Sequence, residues 1–371
     1  MHREILLPAE GETLAGLLAA QELCFNTTSD RSIVFHARVD EQWAVRRGDV
    51  IGGYGVYHCG LHMLGRDVPM GGIAAVAVVP EARGQGIARG MMAAALDKLR
   101  EQGRPIAGLY ASTWSLYRQV GFEQAGTRVA RKIRTDAIRA ERSGLPVRRV
   151  SEAELRALVR PRHGNLVRSD GLWTRLLQPV TGKVHCYVVG DGEGWAVLWQ
   201  EAPGPWYTWV VRDWGWSTPA AAHRLWGLLA EASTMATEAQ WYGAPDDVME
   251  TLLVNRGARV TDVERWMIRI VDVPTALEAR GWAADGEVVV DIEDDGMPDN
   301  AGAWTITVRD GQASVTRGGA AQARLHIRAL ASIYTGFHTA AQLQSVGRVE
   351  GDTRALDALF AAPAPWMADH F

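Results

Sequence analysis

Apolar residues recur along the chain with two alternating periods, and the alternation defines its elements. Leu14, Leu17, Leu18 and Leu23 have helical spacing, which predicts a helix over residues 13–25. Strand-like runs follow at 32–39, 43–47 and 49–61, with Gly48 and Asp49 forming a turn between the last two. Another strand-like run covers 70–79, with Gly71 and Gly72 at its start. After Pro80 and an Arg/Gly segment, Met91, Met92, Ala95, Leu96 and Leu99 predict a helix over 87–100. A short strand at 106–110 and a short helix at 114–119, ended by Gly121, complete this module.

The middle of the chain repeats that order. Residues 139–146 are charged and polar, contain Gly144 and Pro146, and read as a linker. A helix at 152–160 leads to strand-like runs at 184–189, 195–200 and 206–213, then a helix over 218–234. Strand, strand, helix without the Arg/Gly segment suggests a degenerate second copy. The last part opens with a run at 266–271 and a helix at 274–280. Half-buried strands at 287–293 and 304–309 follow, then helices at 328–335, 339–346 and 353–360. The end, Pro363 to Phe371, is apolar and aromatic where most termini fray into polar residues, which implies packing.

Composition narrows the class. At about 150 residues per domain, 371 residues suggest two or three domains. A net charge of −4 leaves no basic footprint for nucleic acid and is compatible with cationic small substrates. No apolar run reaches membrane-spanning length, and the first residues lack a signal-peptide pattern. Cys24, Cys59 and Cys186 are far apart and odd in number, which suggests reduced thiols in a cytoplasm. His58 and His62 have metal-like spacing, but within a strand run such positions sit far apart, so no metal is expected. Of the fifteen tryptophans, Trp195, Trp199, Trp206, Trp209, Trp214 and Trp216 crowd the middle domain. They read as core and subunit interface, with an aromatic wall of a substrate channel as the alternative. No Gly-x-Ser-x-Gly is present, so a serine hydrolase is not expected.

The richest chemistry lies at 76–90. An apolar strand ends at Pro80, a loop with Gly84 and Gly86 follows, and a helix begins. A helix N-terminus carries unpaired N–H groups and partial positive charge, glycines let the backbone approach an anion, and Arg83 and Arg89 add cationic donors. This suggests a grip on a pyrophosphate. The Gly-Lys-Ser/Thr ending of a P-loop is absent, and Arg89 occupies the third glycine position of a dinucleotide fingerprint. Arg-x-x-Gly-x-Ala, at Arg83, Gly86 and Ala88, resembles the pantetheine-pyrophosphate loop of the GCN5-related (GNAT) acyltransferases.

Three regions extend that likeness. Residues 112–122, with Tyr117, Gly121 and Phe122, the run from Trp266 through Pro274 to Leu277, and the tail from Asp357 through Trp366 to Phe371 together resemble the enhanced-intracellular-survival (Eis) family of acetyltransferases. The resemblance implies an α/β (α+β) architecture: a GNAT domain over 1–138, a degenerate GNAT-like domain over 139–268, and a sterol-carrier-like domain over 269–371 carrying the C-terminus. It further implies a homohexamer using acetyl-CoA as cosubstrate. The backbone of Val76, Ala77 and Val78 would bind acetyl-CoA. Arg83, Gly84, Gln85, Gly86, Ile87, Ala88 and Arg89 would hold its pyrophosphate, flanked by Ser112 and Thr113. Tyr117 would be the general acid and the Phe371 carboxylate the general base.

The chemistry of these groups is coherent. An attacking amine must lose a proton and the departing thiolate must gain one. A terminal carboxylate, ordinarily of pKa about 3.3–3.7, becomes a better base in an apolar groove, and Trp366, Met367 and Phe371 could build one. A phenol can protonate a thiolate of comparable basicity; Tyr110 competes with Tyr117 for that role. One departure concerns the acceptor. Aminoglycoside-acetylating members carry a carboxylate just before the terminal residue, whereas this chain has His370 there, and its early loop has none before Asp30. The expected activity is N-acetylation of a small-molecule primary amine, aminoglycosides among the candidates. A protein or peptide lysine acetyltransferase and a non-catalytic protein holding an apolar ligand are the alternatives.

Overall fold

A computed structural model describes residues 5–28, 35, 37–201, 205–255 and 257–371. The first module opens with β1 (Ile5–Pro8) and helix α1 (Gly11–Phe25), then an antiparallel meander of β2 (Glu41–Arg47), β3 (Asp49–Met63) and β4 (Arg66–Val78). Helix α2 (Ile87–Glu101) crosses to β5 (Ile106–Tyr110), which runs parallel to β4, and α3 (Trp114–Arg118) and β6 (Glu123–Arg134) follow. Helix α2 forms where its pattern predicts because Ile87, Met91, Met92, Ala95, Leu96 and Leu99 share a buried face, while Lys98 and Arg100 complement the negative end of the helix dipole. Half of the predicted strand 32–39 lies outside the described residues; of its described positions, none is in a strand, and 37 and 38 form a turn.

The second module contains β7 (Val147–Arg149), α4 (Glu152–Leu158), β8 (Leu166–Val167), α5 (Asp170–Leu177), β9 (Lys183–Val189), β10 (Gly194–Glu201) and β11 (Tyr207–Trp216). Helix α6 (Pro219–Glu231) then crosses to β12 (Ala236–Gly243), which is parallel to β11, and β13 (Arg259–Ile270) closes the module. The two modules share one sheet of order β1-β2-β3-β4-β5-β13-β6-β12-β11-β10-β9-β7, with β8 against β3. Strand β13 therefore sits between β5 and β6 of the first module, and β6 carries the ladder on to β12.

The third module has helix α7 (Val273–Ala279), then β14 (Gly286–Glu293), β15 (Gly302–Arg309), β16 (Gln312–Arg317) and β17 (Ala323–His326). Helices α8 (Ile327–Tyr334) and α9 (Ala340–Ser345), strand β18 (Val349–Gly351) and helix α10 (Arg354–Leu359) complete it. Its sheet, β16-β15-β14-β17-β18, shares a continuous apolar core with one face of the first module. Tyr57, Met70, Ile106 and Trp266 pack there with Val290, Ile306, Leu330 and Phe371. Helix α2 covers the opposite face. The buried pair Arg269–Asp294, 2.7 Å apart and further bonded by Asn300, ties β13 to this module.

The tryptophans of the middle domain divide. Trp195, Trp209 and Trp214 are buried, and Trp214 meets Trp226 edge-on at 5.3 Å in the core under α6. Trp206 is exposed and Trp199 is half-buried. His58 and His62 both lie on β3 and face separate acids, Glu41 at 2.8 Å and Asp67 at 2.6 Å.

Candidate active site

The site grows from an irregularity in β4. Opposite β3 the register shifts, Gly53 facing Ala77 but Gly55 facing Ala74, so β4 carries one extra residue there. Ala75 at this bulge has φ +51°, a conformation costly for a side chain, and its carbonyl accepts a hydrogen bond from the Gln21 side chain at 2.9 Å. Strands β4 and β5 pair only from Met70 to Gly72 and from Ile106 to Gly108, so the ladder ends before the bulge. A cavity of about 550 Å³ occupies the opening, lined by Ala74, Ala75, Val76, Ser112, Tyr117 and Phe371 together with Tyr110, Glu264 and His370.

Beyond β4 the Arg/Gly loop leads into α2. Gly86 is the residue before the helix, at φ +80°, and no side chain caps the helix start. A Cβ added at Gly84, Gly86 or Gly90 would meet nothing within 4 Å, so a cradle stands open to solvent. Arg83 folds back, donating through Nε to the Val78 carbonyl at 3.0 Å and approaching the Cys24 sulfur at 3.6 Å. Gln85 accepts from Arg47 at 2.6 Å. Ile87 is buried beneath the loop, while Arg83, Gly84, Gln85, Gly86 and Arg89 are exposed. Ala77 is buried and Ala88 half-buried, and Val78 pairs with Gly52. Thr113 is exposed at the start of α3. Of the twelve expected cosubstrate residues, the structure thus brings Val76 and Ser112 into the cavity and strings Arg83 to Arg89 along an adjoining surface.

Tyr117 projects from α3 and packs edge-on against Phe122 at 5.9 Å. Burial pushes its phenol up to about 12, so it remains protonated throughout the neutral range. Phe371 is 7 % exposed. Its ring lies edge-on to Tyr57 at 6.3 Å and to Tyr110 at 5.8 Å. A Cβ at Gly72 would come within 3.0 Å of that ring, so the glycine noted in the sequence makes room for the chain end. Tyr110, the competing candidate, is committed elsewhere: its hydroxyl donates to the Asp369 carbonyl at 2.7 Å, its ring stacks on His370 at 4.4 Å, and burial raises its pKa far above the ordinary value.

Both of the first two modules hold the tail. Trp366 bridges Thr127 of β6 in parallel, and the Arg128 Nε donates to the Ala368 carbonyl at 3.0 Å. From the second module, Asn165 donates to the Trp366 carbonyl at 2.7 Å. Buried Arg168 grips the Asp369 carboxylate with two bonds, at 2.8 and 3.0 Å, and reaches Asp213 at 2.7 Å. Burial opposes the Arg168 charge, but Asp369 and Asp213 outweigh it. Burial, then Arg128, Arg175 and Arg212, push His370 down to about 3, so its imidazole is neutral at pH 7, 3.6 Å from Glu264. The sequence reading missed Ala75, Gln21, Arg128, Arg168 and Glu264. Asp369, two residues from the end, was the one visible pointer to a buried counter-charge.

Acetyltransferase (GNAT) domain models match residues 8–125 and 164–270, and a sterol carrier protein domain model matches 273–368. An uncharacterized N-acetyltransferase of Streptomyces griseus is 30 % identical over 349 residues, covering 83 % of each chain. The N-acetyltransferase Eis of Mycobacterium tuberculosis is 28 % identical over 331 residues, covering 80 % of this chain and 79 % of its own. This chain belongs to the Eis family of GCN5-related N-acetyltransferases. The solved GCN5-related N-acetyltransferase of Anabaena variabilis superposes with a TM-score of 0.95 at 31 % identity over the whole of both chains. The Eis-family fold of two GNAT domains and a sterol-carrier-like domain accounts for the three modules described above, and the enzyme is an acetyltransferase. Among the described residues, no helix is long and apolar enough to cross a membrane.

Proposed function

We propose that the enzyme transfers the acetyl group of acetyl-CoA to the primary amine of a small molecule, with Tyr117 as general acid and the Phe371 carboxylate as general base. The observation that carries this reading is the cavity where the β4 bulge, Ser112, Tyr117 and the chain end converge. The open glycine cradle at the start of α2 fits the cosubstrate's pyrophosphate, since unpaired N–H groups there favour an anion.

The Phe371 carboxylate accepts a proton from the attacking amine as the C–N bond forms. Backbone N–H in the Val76–Val78 segment, near Val78, polarises the thioester oxygen. As the C–S bond breaks, Tyr117 gives its phenolic proton to the thiolate, and proton exchange with solvent then restores the phenol and the terminal carboxylate. The resemblance that suggests these roles also suggests a hexamer, which sedimentation of the purified protein would test, and domain divisions near residues 138 and 268; the separated cysteines suggest a cytoplasmic enzyme.

The experiment is CoA release from acetyl-CoA with a panel of amines and a lysine peptide, comparing protein ending at Phe371 with protein extended beyond it. Turnover on small amines, lost on extension by on the order of 10²–10⁴-fold while CoA binding persists, is the expected result. Equal turnover by both proteins overturns the terminal base, and turnover confined to the peptide overturns the small-molecule acceptor.

A further inference from the structure

The site borders a second cavity whose charge points to the acceptor. This cavity, also about 550 Å³, shares Glu264 and His370 with the first and is lined besides by Arg38, Arg128, Arg175, Arg212 and Trp199. Four guanidiniums face one carboxylate, and that carboxylate, Glu264, is engaged by Arg128 at 2.5 Å. Arg38, Arg175 and Arg212 have no carboxylate partner among the described residues. His370 is neutral and adds no charge.

Arg212 is the most unusual of the three. Between β10 and β11 the register passes from Val197–Asp213 to Leu198–Val211, so Arg212 is the extra residue of a bulge. Its guanidinium lies over the Trp199 ring at 4.3 Å and 5.4 Å from the Tyr242 ring. Its buried Nε has no hydrogen-bond acceptor. Burial of a guanidinium is costly, and the carboxylate whose charge offsets it here, Asp369, is bonded directly to Arg168, so a ligand anion would supply the direct partner that Arg212 lacks.

We infer that the acceptor amine also bears an anionic group, a carboxylate or phosphate, which Arg38, Arg175 and Arg212 bind while the amine faces Phe371. The inference rests on the proposed transfer site, because it is the shared Glu264 and His370 that put the amine end of such a molecule beside the terminal carboxylate. Guanidiniums match both anions with paired N–H donors. A polycationic acceptor would instead meet three like charges that have no directly paired carboxylate.

The test compares acceptors matched except for the anion: phenylalanine against phenylalanine amide, and phosphoethanolamine against ethanolamine, with spermidine as the polycation. The expected kcat/KM is about tenfold or more higher for at least one anionic member of a pair, and Arg212→Gln or Arg175→Gln removes that preference, bringing the two members of the pair to within about twofold of each other. Which pair responds identifies carboxylate or phosphate. Equal rates within both pairs, or faster turnover of spermidine, overturn the inference and leave acetyl transfer standing.

If no amine turns over, binding decides. Tryptophan fluorescence is titrated with 3-phenylpropionate and with inorganic phosphate in the presence of CoA. Binding of either that is lost in both arginine variants upholds the anion site and overturns the transfer reading. Absence of binding overturns both. Using two variants guards against a single one that fails to fold.

Discussion

The two GNAT-like modules share a topology and differ at the start of one helix. In each, a parallel strand pair is joined by a crossover helix: β4–α2–β5 in the first, β11–α6–β12 in the second. In each, the leading strand carries one extra residue, Ala75 or Arg212. The first module enters its helix through Gly86 with no side-chain cap, leaving N–H groups to solvent. The second enters through Thr218, whose side chain accepts from the Ala221 N–H at 3.2 Å, and Pro219 removes a further donor. The one helix start can receive an anion and the other is closed by its own chain. Duplicating the fold therefore did not duplicate the open helix start, on which the proposed grip on the cosubstrate depends.

The sharpest test of this asymmetry is chemical. Tyr117→Phe should lower kcat by on the order of 10²–10⁴-fold with acetyl-CoA affinity retained, as measured by CoA release and calorimetry. Next, Gly86→Ala forces a side chain into φ +80° and should weaken acetyl-CoA binding about tenfold. The matching change in the second module, Thr218→Ala, should leave that affinity unchanged while costing about 1 kcal/mol of stability in urea unfolding. Equal losses of affinity from both substitutions would end the distinction between the helices.

The smallest effects concern pH. Burial lowers His163, which bonds the Thr335 carbonyl at 2.8 Å, to about 4, and His370 to about 3. A histidine whose folded pKa is depressed contributes stability fully above its unfolded value of about 6.5 and loses it as pH falls through the folded value. Urea midpoints should therefore decline below about pH 6.5, and less steeply in His163→Gln. Tyr117 has the opposite sense: its raised pKa makes a contribution present below about 10 and lost as pH rises through about 12.

What was legible in the sequence was local. The loop from Arg83 to Arg89, helix α2 and the short helix holding Tyr117 follow from glycine placement and apolar period within a few turns of chain. Strands β6, β12 and the first half of β13 have no such signature. Strand β6 reads Glu-Gln-Ala-Gly-Thr-Arg-Val-Ala-Arg-Lys-Ile-Arg, yet Arg128 and Arg131 are buried in it. They are tolerated because Glu264 and the Pro245 carbonyl, more than a hundred residues away, accept from them. The Arg168–Asp369 pair spans 201 positions and is equally silent in the sequence. Positive φ at a bulge alanine and an extra residue at Arg212 depend on strand register, which only the folded sheet fixes.

The placement of β13 between β5 and β6 also has a consequence in time. Strand β5 leaves the ribosome at residue 110, and the segment that pairs with its free edge begins at Trp266. At about 5–20 residues per second, the interval is roughly 8–30 seconds. Throughout it the nascent first module presents an unpaired strand edge, Ile-Ala-Gly-Leu-Tyr, that a neighbouring chain on the same message could capture. The pace of synthesis and the crowding of polysomes therefore bear on the yield of this enzyme as directly as the stability of its finished fold.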